Sequence, residues 1–121
     1  MAKLLVVEDE DDLVDLYAAQ LASGGHEVMT AGSGPEALSA LEQNRDTALV
    51  IADISLSGEM NGVQMAEAAR RLNPDLPVLF VSGDVTRAQS ETGSLNGRIS
   101  VLQKPFRRAE LLDSVARMLA G

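Results

Sequence analysis

Leu49 to Gly62 read LVIADISLSGEMNG. The apolar run Leu49-Val50-Ile51-Ala52 delivers Asp53 where a buried strand should emerge, and the chain then turns through Gly58 and Gly62 into a new helical pattern. In parallel α/β folds the ligand crevices lie outside the carboxyl ends of the strands, so a carboxylate held there is placed for chemistry. Asp53 is the candidate acceptor, and the polar residues at the other strand ends are read against it.

Outward from this stretch, four more short apolar runs carry the strand signal. Lys3 to Val7 predicts a first buried strand that ends in five consecutive acids, Glu8 to Asp12. Asp11 and Asp12 suit a solvated turn at a helix N-terminus, whereas Glu8 and Asp9 stand at the strand's own end. Leu13, Leu16, Tyr17 and Leu21 then recur at helical spacing up to Ser23-Gly24-Gly25. Glu27 to Ala31 predicts a second strand, and Pro35 opens a helix reaching Asn44. The third strand is expected from Asp46 to Ala52, with Asp53 at its end. A helix from about Val63 to Leu72 stops at Asn73-Pro74. Val78 to Val81 predicts a fourth strand delivering Ser82-Gly83-Asp84. Ile99 to Leu102 predicts a fifth that leads through Lys104-Pro105-Phe106 into a last helix with Leu111, Leu112, Val115 and Leu119 inward. Arg87 to Leu95 is the weakest helical pattern, because Ser90, Thr92, Gly93 and Ser94 are poor interior residues, and a short or mobile element is expected. Strands alternating with helices imply a doubly wound α/β fold with a parallel sheet.

Composition narrows the function. At 121 residues the chain is expected to be one domain, residues 1-121, large enough to bury a core. It has no cysteine, which removes disulfides and thiolate zinc sites. No run approaches the roughly 18 apolar residues of a membrane span, and the start carries no secretory pattern, so a soluble cytoplasmic protein with no membrane partner is expected. The net charge of -8 and the absence of tryptophan speak against nucleic acid as a partner. Gly32-Ser33-Gly34 does not follow the first strand as a dinucleotide fingerprint requires, so no pyrophosphate cradle is expected. His26, the only histidine, is expected to be exposed and without a role.

A parallel sheet gathers its C-terminal strand ends at one edge, which here bear Glu8 and Asp9, Asp53, Ser82 and Lys104. Alone, a strand-end aspartate is an ordinary loop carboxylate and Ser-Gly an ordinary turn. Together they are a constellation. Clustered carboxylates need a compensating cation, and Mg2+ suits a site with one or two carboxylates beside phosphate oxygens. Lys104 and Ser82 can meet further phosphoryl oxygens, which suits formation of a phosphoaspartate at Asp53.

Val6-Val7-Glu8-Asp9-Glu10, Asp53 with Leu56 and Gly62, Val81-Ser82-Gly83 and Lys104-Pro105-Phe106, in this order and spacing, strongly resemble the receiver domain of two-component response regulators. The resemblance spans virtually the whole chain. It implies a flavodoxin-like sandwich with strand order 2-1-3-4-5, and phosphorylation of Asp53 by a histidine kinase or histidine phosphotransfer protein. It implies Mg2+ held by Asp9, Asp53 and the Ser55 backbone carbonyl, with Glu8 acting through water or by orientation. It makes Ser82 the switch hydroxyl and Lys104 the phosphate partner, and it implies a cis Lys104-Pro105 bond, which proline tolerates at little cost. The output is expected to be a downstream protein, reached through a changed binding surface, with the oligomeric state left open, a phosphorylation-dependent dimer included.

The chain departs from the pattern at several places. Ser57 stands where the family often has proline, the interval from Asp53 to Gly62 is one residue longer than in the simplest members with Glu59 the inserted residue, and Val101 replaces a frequent tyrosine or phenylalanine. Asp84 sits two residues beyond the switch, a position that influences phosphate lifetime in the family. Met60 through Phe80 resemble receivers attached to hybrid kinases, while the N-terminus favours a free-standing protein. Two rival functions remain: a constitutive interaction module that keeps the fold without phosphorylation, and a small Mg2+-dependent phosphohydrolase, for which 121 residues leave little chain to build a cap. A switch that is not a conventional enzyme is the reading the residues favour.

Overall fold

The computed structural model describes residues 2–121. Strands β1 (Lys3–Val7), β2 (Glu27–Ala31), β3 (Leu49–Asp53), β4 (Val78–Ser82) and β5 (Ile99–Gln103) alternate with helices α1 (Asp11–Ser23), α2 (Gly34–Gln43), α3 (Gly62–Leu72), α4 (Val85–Glu91) and α5 (Arg108–Ala120). All strand pairs are parallel, in the order β2-β1-β3-β4-β5. Side chains alternate between the two faces of a sheet, and the core divides accordingly. Leu5, Val7, Val50, Ala52, Val78 and Phe80 pack on one face against Ala37, Leu41, Met65 and Ala69 of α2 and α3. Leu4, Val6, Leu49, Ile51, Leu79 and Val81 pack on the other against Tyr17 and Leu21 of α1 and Leu111 and Val115 of α5. Because helices cover both faces, the central strands β3 and β4 are buried throughout, which explains their unbroken apolar runs. Among the described residues no helix is long and apolar enough to cross a membrane.

Local chemistry sets the helix ends. Ser33 accepts a hydrogen bond from the Glu36 amide at the start of α2. Asn61 and Gln64 form a capping box at the start of α3, the side-chain oxygen of each accepting from the backbone amide of the other. The β3 strand begins at Leu49 and not at Asp46, because Thr47 folds back on the Asn44 carbonyl through both its amide and its hydroxyl, while Asp46 pairs outside with Lys3 at 3.2 Å. Helix α4 starts earlier and ends earlier than the sequence suggests. Asp84 caps it by accepting from the Arg87 amide at 3.0 Å, and it stops where the Thr92 hydroxyl returns to the Ala88 carbonyl. His26 is half-buried, its Nδ1 accepting from the Ala2 amide, and Leu16 is largely exposed instead of joining the core.

Gly62 couples α3 to the end of β3. A Cβ built there would lie 2.7 Å from the Asp53 carbonyl oxygen and 2.9 Å from the Ile54 Cα, both backbone atoms that cannot swing aside. Gly62→Ala is therefore expected to push α3 away from Asp53 and destabilise the protein by about 1–3 kcal/mol, the usual range for overpacking. Chemical denaturation measures this, and a variant as stable as the parent would show that the close approach is not required.

Candidate functional site

Topology places the site. From β1 the chain moves outward to β2 and then crosses back past β1 to β3, so the C-terminal ends of β1 and β3 flank the switch point of the sheet. Asp53 is the last residue of β3 and is largely buried. Its Oδ1 accepts from the Ser55 amide at 2.8 Å, and its Oδ2 accepts from Lys104 Nζ at 2.7 Å. Lys104 follows β5 directly and is itself tied to β4, since its amide donates to the Ser82 carbonyl at 2.8 Å. The Lys104-Pro105 bond is cis. Burial opposes the charge on Lys104, but the hydrogen bond and charge of Asp53 outweigh it and lift the ammonium above its ordinary pKa.

Glu8, just beyond β1, is only 2% exposed. Its Oε2 accepts from the Asp9 amide at 3.1 Å, while Oε1 is buried with no partner. Burial, reinforced by the nearby charge of Asp53, pushes its carboxyl up from 4.5 to about 7. Asp9 is exposed, and its Oδ2 accepts both the amide of Ser57, at 3.1 Å, and the Ser57 hydroxyl. These bonds, the hydroxyl foremost, hold Asp9 below the ordinary aspartate range. The sequence reading set Asp9, Asp53 and the Ser55 carbonyl around one ion, with Glu8 acting indirectly. Among the described residues no three acidic side chains form a ready cage, and one of the two Asp9 oxygens, Oδ2, is engaged by Ser57. What is present still fits Mg2+, which keeps several waters and needs only one or two carboxylates, and the orphaned Glu8 oxygen is the kind of buried acceptor that a bound water or ion satisfies.

Ser82 ends β4 with its hydroxyl engaged by Asp84, accepting from the Asp84 amide at 3.0 Å and donating to the Asp84 carbonyl at 3.1 Å. Beside it an open cavity of about 500 Å³ is lined by Ser55, Leu56, Asn61, Ser82, Asp84 and Arg87. Sequence reasoning missed one neighbour of the site and one residue that ties down the opposite edge of the sheet. Tyr17 registered only as an apolar position of α1, yet its buried ring lies 5.2 Å from that of Phe106, beside Lys104. Arg70 registered only as part of a mixed helix face. Its guanidinium donates to the carbonyls of Leu76, Asn96 and Arg98, stitching α3 to the entries of β4 and β5. Neither has a local sequence signal, because both depend on which segments the fold brings together.

Comparison with known proteins bears on this geometry. The family model for the response regulator receiver domain matches residues 4–116. The response regulator receiver protein CpdR of Brucella abortus is 29% identical over 119 residues, covering 98% of each chain. The response regulator protein FleR of Pseudomonas aeruginosa is 38% identical over 122 residues, but the match takes up 99% of this chain and only 25% of FleR. The crystal structure of the chemotaxis protein CheY4 of Vibrio cholerae superposes with a TM-score of 0.88 at 27% identity, covering 98% of both chains.

Proposed function

Because the chain belongs to the response regulator receiver family, we propose that it is a phosphorylation-dependent switch whose acceptor is Asp53 and whose output is a changed protein-binding surface. The observation that supports this best is Lys104 Nζ at 2.7 Å from Asp53 Oδ2. It pairs a carboxylate nucleophile with a fixed cation at the place where phosphoryl charge would accumulate. The donor is a phosphohistidine on a histidine kinase or phosphotransfer protein. The Asp53 carboxylate forms a bond to phosphorus, the phosphorus–nitrogen bond breaks, and its electron pair returns to the imidazole, which takes up a proton.

Lys104 then meets one phosphoryl oxygen. The Ser82 hydroxyl leaves Asp84 and donates to another, with the adjoining cavity leaving room for the movement. Asp9, Asp53 and the Ser55 backbone carbonyl, with Glu8 acting through water, are the groups that would hold Mg2+, whose charge when bound offsets the repulsion between carboxylate and incoming phosphoryl group. Val101 lies half-buried on β5 without a ring to swing, so the response rests on Ser82 and on the segment through Leu95, and it is read by a protein partner at α4, β5 and α5.

Acetyl phosphate with Mg2+ is expected to add one labile phosphoryl group to the wild type and none to Asp53→Asn, as read by intact mass. A folded wild type that takes up no phosphate from acetyl phosphate or from a competent kinase would move the reading to an unphosphorylated interaction module.

A further inference from the structure

The loop between β3 and α3 is pinned at two points. Met60 lies over Gly34 at the start of α2, where an added Cβ would come within 2.9 Å of three Met60 side-chain atoms. Three residues earlier, Ser57 reaches across to the loop after β1, and both of its donors, amide and hydroxyl, fall on the single Asp9 oxygen Oδ2. Gly58, at φ 95°, lets the chain reverse immediately after Ser57, a conformation in which glycine alone is unstrained. Ser57 and Gly58 thus form a latch on one carboxylate of the neighbouring loop.

We propose that Ser57 is a positioning residue that holds Asp9 in a closed, metal-free arrangement and thereby weakens the binding of Mg2+ at the site. The inference rests on the phosphoacceptor reading, which assigns Asp9 to the ion. The physical argument is competition. A carboxylate oxygen that accepts two hydrogen bonds has its lone pairs committed, so a hard cation binding Oδ2 must displace the hydroxyl, and one binding Oδ1 meets a carboxylate whose charge the Ser57 donors already partly compensate. Free energy stored in the Ser57 contact of the metal-free state is subtracted from the free energy of binding. Ser57 thereby raises the Mg2+ concentration at which the site becomes competent, and its hydroxyl acts through Asp9 without touching the acceptor.

Calorimetric titration with Mg2+ tests this on the wild type, Ser57→Ala and Ser57→Thr. Removing the hydroxyl is expected to tighten Mg2+ binding by about threefold to tenfold, the scale of one modest hydrogen bond, while threonine keeps the donor and the wild-type affinity. Amide hydrogen exchange in the presence of chelator supplies a metal-free reading: exchange at residue 57 should be faster in the alanine variant than in the wild type. In an Asp9→Asn background the alanine substitution should no longer change the affinity, since the two residues act as one unit. A merely structural loop serine would leave affinity unchanged or lower it, so equal or weaker binding by Ser57→Ala, with normal binding by the wild type, overturns the inference and leaves the phosphoacceptor reading standing. Failure of all three proteins to bind Mg2+ at millimolar concentration overturns both.

Discussion

Lys104→Met is expected to slow phosphoryl transfer from acetyl phosphate to Asp53 by about a hundredfold or more, the loss typical of removing one fixed donor from developing negative charge. The side chain is well suited to such a role: it is three-quarters buried, it bonds Asp53 Oδ2 at 2.7 Å, and its charge is held by that partner against the cost of burial. Its backbone is fixed as well, through the Ser82 carbonyl, so the ammonium does not have to be ordered when the phosphoryl group arrives. Arginine should not restore the rate, because a planar guanidinium cannot occupy the space of a compact ammonium. Arg117→Met removes the same charge from an exposed pair with Asp113 on α5 and serves as the control for net charge. Labelling rates measured by intact mass decide the point. A Lys104→Met rate equal to that of the Arg117 control would mean that Lys104 supplies only long-range charge.

The sheet and most element boundaries were legible because a parallel strand buried on both faces has a plain signature. Val78 to Val81 and Leu49 to Ala52 are continuous apolar runs bounded by turn residues, and the structure buries every one of them. The errors fell where a side chain bonds its own backbone. Thr47 on Asn44 delays β3, and Thr92 on Ala88 closes α4, and such short-range bonds compete with regular structure without leaving a periodic trace. Val85 and Thr86 belong to α4 because Asp84 caps it, although the same Asp84 drew attention in the sequence only for its distance from the switch residue.

The site divides along the same line. That Asp53 and Lys104 share an edge followed from their places at the C-terminal ends of parallel strands, while their meeting across the intervening β4 was implied only by the resemblance to receivers. The orientation of individual polar groups did not follow. Asp9 stands at the end of β1 as expected, yet one of its oxygens is engaged by a serine four residues beyond Asp53. Ser82 sits where expected, but its hydroxyl is engaged by Asp84. Both depend on loop geometry, and periodicity carries no information about loops.

Glu8→Gln is expected to stabilise the metal-free protein at about pH 8 by a few kcal/mol and to abolish most of its pH dependence between about pH 5 and pH 8. Glu8 has a folded pKa of about 7, raised from 4.5 by burial and by Asp53. The folded state therefore binds the proton more tightly than the unfolded chain does. Its contribution to stability is fully present below the unfolded value and is lost as pH rises through 7, where folding must bury a charged carboxylate facing Asp53 with one oxygen unpartnered. Asp9 acts with the opposite sign and elsewhere on the scale. Its depressed pKa gives stability that is present above the ordinary aspartate value and lost only in more acid solution, so the two windows do not overlap. Denaturant titrations in chelator at the two pH values measure the slope. Addition of Mg2+ at pH 8 should recover the lost stability in the wild type and do less for Glu8→Gln, because the variant no longer has a buried charge for the ion to compensate. A wild type with flat stability over this range, or a glutamine variant with an unchanged slope, would show that Glu8 is not the group in tension. That pattern would have a functional corollary: a carboxylate that weakens the resting fold would also ready the site for a cation, and stability given up at Glu8 would be returned on Mg2+ binding.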